Sequence, residues 1–153
     1  EWTTYSDSVE PPVFQQKKAE PRAGIRARKN TKMIRKPGSL DLTFTGEDPG
    51  IAMDLRSKKD LPAGPYVVSF ELSTDWKGKG DIYYTIDEKN IPVGERVEFE
   101  ITGEKAQKIR IELKNQKVMK QLRIDVSDGK GAALIGSLQL LGQDGKVLHD
   151  WTK

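Results

Sequence analysis

Two aromatic side chains on polar stretches of this sequence are suited to hold a sugar-like ligand. Trp76 lies in a loop of Ser, Thr, Asp, Lys and Gly residues, where a large ring has no evident partner along a strand. Tyr83 lies between Ile82 and Tyr84, and because side chains alternate along a strand, one tyrosine of the pair is predicted to leave the core. Such rings offer an apolar face to C–H groups, and nearby cations can bind hydroxyl, carboxylate or sulfate groups. The cations that we expect to take part are Arg56, Lys58, Lys77 and Lys79.

Trp76 has a second interpretation, in which its ring folds back over the edge of the domain and serves packing alone. Trp151, near the end of the chain, is expected to pack against the core or against a neighbouring domain. The sequence leaves both interpretations of Trp76 open.

The residues needed for catalysis are not found in a recognisable pattern. The one histidine, His149, lies beside Asp150, but no Gly-x-Ser-x-Gly motif supplies a poised serine, so we interpret His149 as a strand-end surface residue. Acidic residues fall mainly in turns and on polar strand faces, where solubility explains them better than the paired carboxylates of a glycosidase. We therefore expect no catalytic residues and no enzymatic activity in this domain.

Metal and cofactor sites are not expected either. The absence of cysteine and the single histidine exclude thiolate and His-rich metal sites. Residues 47–48 and 125–128 offer carboxylates that Ca²⁺ could use, but their spacing is not that of an EF-hand, and structural roles in turns are favoured. The short segment Gly78-Lys79-Gly80 lacks the further glycine and the helix of a phosphate-binding loop.

The positive charge of the chain is concentrated at one end. Residues 1–38 hold nine Lys or Arg against four Asp or Glu, although the net charge of all 153 residues is only +3. Such an asymmetry is typical of an arm that binds polyanions or of a solvated connecting segment. A nucleic-acid groove would also need stacking aromatics, and none lies between Phe14 and Phe44, so we expect no nucleic-acid partner. No stretch approaches the ~20 apolar residues of a membrane span, and no membrane partner is expected.

Alternating apolar and polar residues predict an all-β fold. Leu40, Leu42 and Phe44 share one face of a strand, and similar patterns recur up to Val147, separated by turns rich in Gly and Pro. Strands of this kind have one dry side, which must be buried against a second sheet. The prediction is an antiparallel β-sandwich of eight or nine short strands, of jelly-roll type, with a closed barrel as the alternative.

The length fits one domain with an additional segment at one end. We predict that residues 1–38 form an extended, basic lead-in that packs on the sandwich through Val13 and Phe14, with one or two short strands. Residues 39–153 form the sandwich itself. Because the chain begins with Glu1 rather than Met, we expect it to be a piece of a longer protein.

Several short segments resemble the non-catalytic β-sandwich region that follows the catalytic domain in sulfatases of planctomycete-type marine bacteria. The segments that carry this resemblance are Pro37-Gly-Ser-Leu-Asp-Leu42, Glu47-Asp-Pro-Gly-Ile51, Pro62-Ala-Gly-Pro-Tyr66, Leu122-Arg-Ile-Asp125, Gly136-Ser-Leu-Gln-Leu140, Asp144-Gly-Lys-Val-Leu148 and Trp151. In that pattern the aspartate after Leu-Arg-Ile is often followed by proline, whereas Val126 stands there in this chain. The resemblance implies a jelly-roll fold similar to galactose-binding-like modules and an exported, periplasmic or extracellular parent enzyme. It does not imply sulfatase activity, because the Cys/Ser-x-Pro-x-Arg motif of that reaction is missing here.

Two functions follow as expectations. The first is an accessory module of a secreted sulfatase that binds a sulfated or acidic polysaccharide without a cofactor. The second is a purely structural module that packs against the catalytic domain of the parent chain and binds no ligand.

Overall fold

The alternating segments of the sequence form eleven β-strands within the residues that the structure describes. The computed structural model describes residues 24–85, 95–115 and 117–153. The strands are β1 (Ile25–Ala27), β2 (Thr31–Lys36), β3 (Ser39–Phe44), β4 (Ile51–Asp54), β5 (Tyr66–Thr74), β6 (Gly78–Thr85), β7 (Glu95–Ile101), β8 (Gln107–Leu113), β9 (Gln121–Asp125), β10 (Gly131–Gly142) and β11 (Val147–Asp150). No helix long and apolar enough to cross a membrane occurs in these residues.

The strands form two separate sheets. The five-stranded sheet has the order β1-β4-β9-β6-β7, and the six-stranded sheet has the order β2-β3-β10-β5-β8, with β11 also paired to β10. Every pairing between these neighbouring strands is antiparallel. This arrangement confirms the predicted antiparallel sandwich of jelly-roll type, because the described strands form two sheets rather than the alternative closed barrel.

The core lies between the sheets and consists of the inward residues that the alternation predicts. Leu42, Val68 and Ile82 have no exposed surface. Phe70 of β5 and Phe99 of β7 meet edge to face across the two sheets, with ring centroids 5.9 Å apart. Burying such side chains stabilises the fold by about 1.5–3 kcal/mol each relative to leaving them in water.

The predicted lead-in is only partly described. Residues 1–23, which include Val13 and Phe14, lie outside the described residues. The rest of the segment forms β1 and β2, one strand for each sheet, and the Arg35 guanidinium links them by donating to the Ile25 carbonyl at 2.8 Å.

The long strand β10 changes partners along its length. Residues 131–136 pair with β3, whereas residues 139–141 pair with β11, and the register shifts between Gly136 and Gln139. Ser137, at this irregularity, has a φ of 50°. The shift moves the buried positions from Ala133 and Ile135 to Leu138 and Leu140, a change of parity that strict alternation does not allow. Trp151 is 2% exposed, so the prediction that it packs against the core is confirmed.

Candidate functional site

One row of side chains crosses the outward face of the five-stranded sheet. In the strand register Arg26 of β1 is opposite Ala52 of β4, and Ala52 is opposite Arg123 of β9. Arg123 is in turn opposite Tyr83 of β6, which is opposite Arg96 of β7. The first four of these residues point away from the core because buried neighbours along their strands point into it, and Arg96 is itself exposed. The row therefore places three arginines and one aromatic ring on a single surface.

A depression of about 600 Å³ lies at the Ala52 end of this row. Neighbouring strands are about 4.8 Å apart, so the backbones of Arg26 and Arg123 are separated by about 10 Å, with only a methyl group between them. The small side chain of Ala52 is the local reason that the surface is hollow here. The polar residues that line the depression are Arg26, Arg28, Lys29, Asp54, Arg56, Gln121 and Arg123.

Arg123 is the structural centre of this face. Only 8% of it is exposed, although it lies on the polar side of its strand. Its guanidinium binds Asp125 through two hydrogen bonds, Nε to Oδ1 at 2.9 Å and Nη2 to Oδ2 at 2.7 Å. Nη2 also donates to Asp48 Oδ1 at 2.6 Å, and Cζ lies 4.7 Å from the centroid of the Tyr83 ring. Burial alone would lower the pKa of Arg123, but the hydrogen bonds and charge of Asp125, together with the charge of Asp48, raise it overall.

The loop before β4 is fixed to this sheet by the same charges. Asp48 accepts hydrogen bonds from Arg28 as well as from Arg123, and the Arg28 backbone N–H donates to the Gly50 carbonyl at 2.9 Å. Burial would raise the pKa of Asp48, but the hydrogen bond from Arg28 and the charge of Arg123 lower it overall. A side chain at Gly50 would collide with the Asp125 carboxylate, so glycine lets the loop approach the strand closely.

The two acidic stretches considered for calcium, residues 47–48 and 125–128, are close together in the structure, but a guanidinium lies between their carboxylates. Asp48 and Asp125 both contact Arg123, which supplies the positive charge between them. Among the described residues no group of three or more His, Cys, Asp or Glu side chains is arranged to hold a metal ion.

Arg56 closes another side of the depression. It binds Asp54 through Nε to Oδ1 at 2.9 Å and Nη2 to Oδ2 at 2.6 Å. This hydrogen-bonded pair lowers the pKa of Asp54. Both side chains are about two-fifths exposed.

The six residues predicted for ligand contact are divided among three places. Tyr83 and Arg56 belong to the face just described, and Lys79 lies on the same side of β6 as Tyr83, opposite Glu100 of β7. Lys58 lies elsewhere, paired with Asp60 at 3.6 Å beside a second depression that includes Leu61 and Leu148.

Trp76 and Lys77 lie in the turn between β5 and β6, away from the depression. Trp76 is partly buried and packs against the core, and its ring covers Gly78, where an added Cβ would lie 2.7 Å from Cζ2 of the indole. The Lys77 stem lies against Gly103. Trp76 therefore packs over the edge of the domain where the chain passes from one sheet to the other, as in the second of its two interpretations.

His149 and Asp150 do not form a catalytic pair. The Asp150 carboxylate accepts hydrogen bonds from Gln139 and Thr152, whereas the His149 ring meets Trp151 edge to face at 4.9 Å. His149 Nε2 is buried without a hydrogen-bond partner among the described residues, so this residue is less exposed than the predicted surface position. Burial lowers the pKa of His149, and the charge of Lys58 lowers it further.

Sequence reasoning missed Arg26, Ala52 and Arg123 as site residues. A usable signal existed for Arg123, because Leu122 and Ile124 flank it and Asp125 follows on the same strand face. The contribution of Asp48, 75 positions away, depends on the tertiary fold.

Several solved structures share this architecture. The CBM22-1 xylan-binding domain of Xyn10C from Paenibacillus barcinonensis has a TM-score of 0.52 and 18% identity, over 82% of this chain and 86% of that chain. The second N-terminal cellulose-binding domain of β-1,4-glucanase C from Cellulomonas fimi has a TM-score of 0.54 and 14% identity, over 76% and 83%. A point mutant of CBM29-2, a family 29 carbohydrate-binding module, complexed with cellulohexaose, has a TM-score of 0.51 and 15% identity, over 76% and 79%.

At these identities the likeness shows the fold. No protein-family model matches the chain, and no curated protein does. The chain therefore has the β-sandwich fold that is found in carbohydrate-binding modules.

Proposed function

We propose that this chain is a non-catalytic module that binds a polysaccharide on the outward face of its five-stranded sheet. The observation that carries this proposal is the depression over Ala52, which is lined by fixed polar groups and lies two strands from the Tyr83 ring. Its fold is that of domains that are named for binding xylan and cellulose.

The geometry suits a chain of sugars because the polar groups are held before any ligand arrives. Arg56 is held by Asp54, and Arg123 is held by Asp125, so both guanidiniums have defined directions. Groups that are already ordered lose little conformational entropy on binding. The partly exposed Tyr83 ring supplies an apolar surface beside them.

We further propose that the polysaccharide is sulfated or acidic and that this module belongs to a secreted sulfatase. The cations around the depression favour an anionic ligand. The resemblance of several segments to the C-terminal region of planctomycete-type sulfatases favours the parent enzyme, and with it a periplasmic or extracellular location.

The proposal is tested by isothermal titration calorimetry against neutral xylo- and cello-oligosaccharides and against sulfated and uronate-containing oligosaccharides. We expect a dissociation constant below about 1 mM for at least one of them. Tyr83→Ala should weaken this binding, and Arg110→Ala, on the outward face of the six-stranded sheet, is the matched control. If every ligand fails to bind at millimolar concentration, the proposal is wrong.

A second candidate function is packing against another domain, and one observation favours it. Ile34 of β2 and Leu134 of β10 are 61% and 40% exposed, and both are opposite Asp41 of β3 on the outward face of the six-stranded sheet. Exposed apolar pairs of this kind can mark an interface, although a small one. Ile34→Ser with Leu134→Ser should abolish association with a parent catalytic domain if this face is the interface, and unchanged association would reject it.

A further inference from the structure

We infer that the depression over Ala52 is a seat for one anionic group, a carboxylate or a sulfate ester, and that Arg26 is the residue that recognises its charge. This inference rests on the proposed function, because it assigns the ligand class of the same face.

Three of the cations around the depression are already neutralised by carboxylates of the protein. Arg123 is held by two carboxylates, and Arg56 is held by Asp54 through two hydrogen bonds. Arg28 binds the Asp48 carboxylate and also its backbone carbonyl. These three guanidiniums are therefore part of the wall of the site, and their charges are compensated within the protein.

The two cations that remain, Arg26 and Lys29, are only weakly compensated. The Arg26 guanidinium is exposed and makes no hydrogen bond or ion pair with the part of the chain that the structure describes, and its charge acts on Asp54 from a distance. Lys29 reaches Asp48 only at 4.0 Å and is about two-thirds exposed. Five cations thus surround the depression, whereas Asp48, Asp54 and Asp125 are the carboxylates that compensate them.

The shape of the site favours Arg26 as the residue that meets the anion. Arg26 and Arg123 belong to the same cross-strand row, and the methyl group of Ala52 between them leaves the space over β4 open. A long, uncompensated guanidinium at the rim of such a space can turn over it and bind a planar carboxylate or a sulfate through two hydrogen bonds. A larger side chain at position 52 would fill the seat without changing any charge.

The position of Tyr83 then sets the ligand geometry. Tyr83 and Ala52 lie on opposite sides of Arg123, about 10 Å apart across two strand spacings. A sugar ring against Tyr83 and the charged group over Ala52 would therefore belong to different units of one chain. The ligand class is an oligosaccharide that carries a carboxylate or sulfate one unit or more from the stacked ring.

The test uses two probes, the sulfate ion and pairs of oligosaccharides that differ only in carrying a charged group. Chemical shifts of the Arg26 side-chain Nε–H are followed during a sodium sulfate titration, with sodium chloride of equal ionic strength as reference. The variants are Ala52→Leu and Arg26→Gln, and the matched controls on the opposite sheet are Ala132→Leu and Arg110→Gln, both at exposed outward positions.

We expect sulfate to shift the Arg26 resonance in the wild-type protein and in both controls, but not in Ala52→Leu. The charged oligosaccharide should bind about tenfold more tightly than its neutral counterpart at low salt, and in Arg26→Gln the two affinities should lie within about twofold of each other. Comparing oligosaccharides that carry a carboxylate with oligosaccharides that carry a sulfate ester shows which of the two anionic groups the site prefers.

The failures of the two proposals differ. Equal affinity for charged and neutral sugars, or the absence of a sulfate-induced shift at Arg26, overturns the anion seat and leaves polysaccharide binding standing. If sulfate shifts the Arg26 resonance but no oligosaccharide binds, the anion site is supported and the proposed function is rejected.

Discussion

The guanidinium of Arg123 lies over the ring of Tyr83, with its Cζ atom 4.7 Å from the ring centroid, on the outward face of the five-stranded sheet. The same guanidinium holds Asp125 and the loop residue Asp48. One side chain thus connects the aromatic surface proposed to meet a sugar with the loop that borders the depression. A cation over an aromatic ring contributes about 0.5–2 kcal/mol, and the ion pairs around it add to the rigidity of the face.

Replacement of this arginine is expected to be costly. Arg123→Gln leaves the Asp125 carboxylate, whose side chain is only 13% exposed, without its counter-charge. Removing one member of such a largely buried ion pair should lower the free energy of unfolding by about 2–3 kcal/mol, somewhat less than for a fully buried pair. Urea denaturation of the variant and the wild-type protein measures this difference. The matched control is Arg96→Gln, whose exposed pairs with Asp81 and Glu98 should contribute much less because water screens them. Equal losses for both variants would contradict the central role of Arg123.

The approach of the acidic loop to β9 gives a second prediction. A methyl group at position 50 would collide with the Asp125 side chain and would lie 2.9 Å from the Ile124 carbonyl oxygen. Gly50→Ala should therefore lower the free energy of unfolding by about 2 kcal/mol and weaken oligosaccharide binding, because Asp48 can no longer reach Arg123. Gly129→Ala is the control, since a methyl group there meets nothing within 4 Å. A neutral effect of Gly50→Ala in thermal denaturation would show that the loop does not need this contact.

Sequence patterns predicted much of the fold because burial follows the period of the strands. Leu40, Leu42 and Phe44 face the core as expected, since alternating residues have no other way to remove their apolar surface from water. The same rule placed Arg123 on the polar side of its strand but did not predict its burial, which depends on the distant Asp48. Ala52 was also missed, because an alanine has no functional group of its own and only the strand register shows that it lies between two arginines.

Trp76 shows the limit of reasoning from residue type. A tryptophan in a polar loop predicts ligand contact or edge packing equally well, and only the course of the turn between the two sheets shows its ring against Gly78 and the core.

We predict that Trp76→Ala affects stability more than binding. The ring is partly buried, so its removal should lower the free energy of unfolding by about 2 kcal/mol, less than the ~3–5 kcal/mol of a fully buried tryptophan. Oligosaccharide affinity should stay within about twofold of the wild-type value, because the ring lies away from the depression. Calorimetric titration and chemical denaturation of the same preparation separate the two effects. A large loss of affinity without loss of stability would restore Trp76 to the binding site.

The titration of His149 gives a pH-dependent prediction. Because His149 is the one histidine of the chain, an imidazole resonance can be assigned to it directly. Burial against Trp151 disfavours the charged imidazolium, so the folded-state pKa lies below the ordinary histidine value of about 6.5. The unfolded chain then takes up the proton first as the pH falls. The resulting contribution to stability is complete above the unfolded pKa and is lost as the pH falls through the lower, folded one.

An NMR titration of the single imidazole measures this pKa directly, and His149→Gln should remove the corresponding slope from the pH dependence of the unfolding free energy. A midpoint at or above that of a model peptide would mean that the ring is solvated in solution.

The central claim is that a polysaccharide binds on the outward face of the five-stranded sheet, across Ala52, Arg123 and Tyr83. Backbone amide chemical-shift mapping with an acidic oligosaccharide tests it most directly, because each strand of both sheets reports separately. We expect the perturbed amides to fall on β1, β4, β9 and β6 and on the loop around Asp48, with the outward face of the six-stranded sheet unaffected. Perturbations centred on β2, β3 and β10, or the absence of saturable shifts at millimolar ligand, would contradict it.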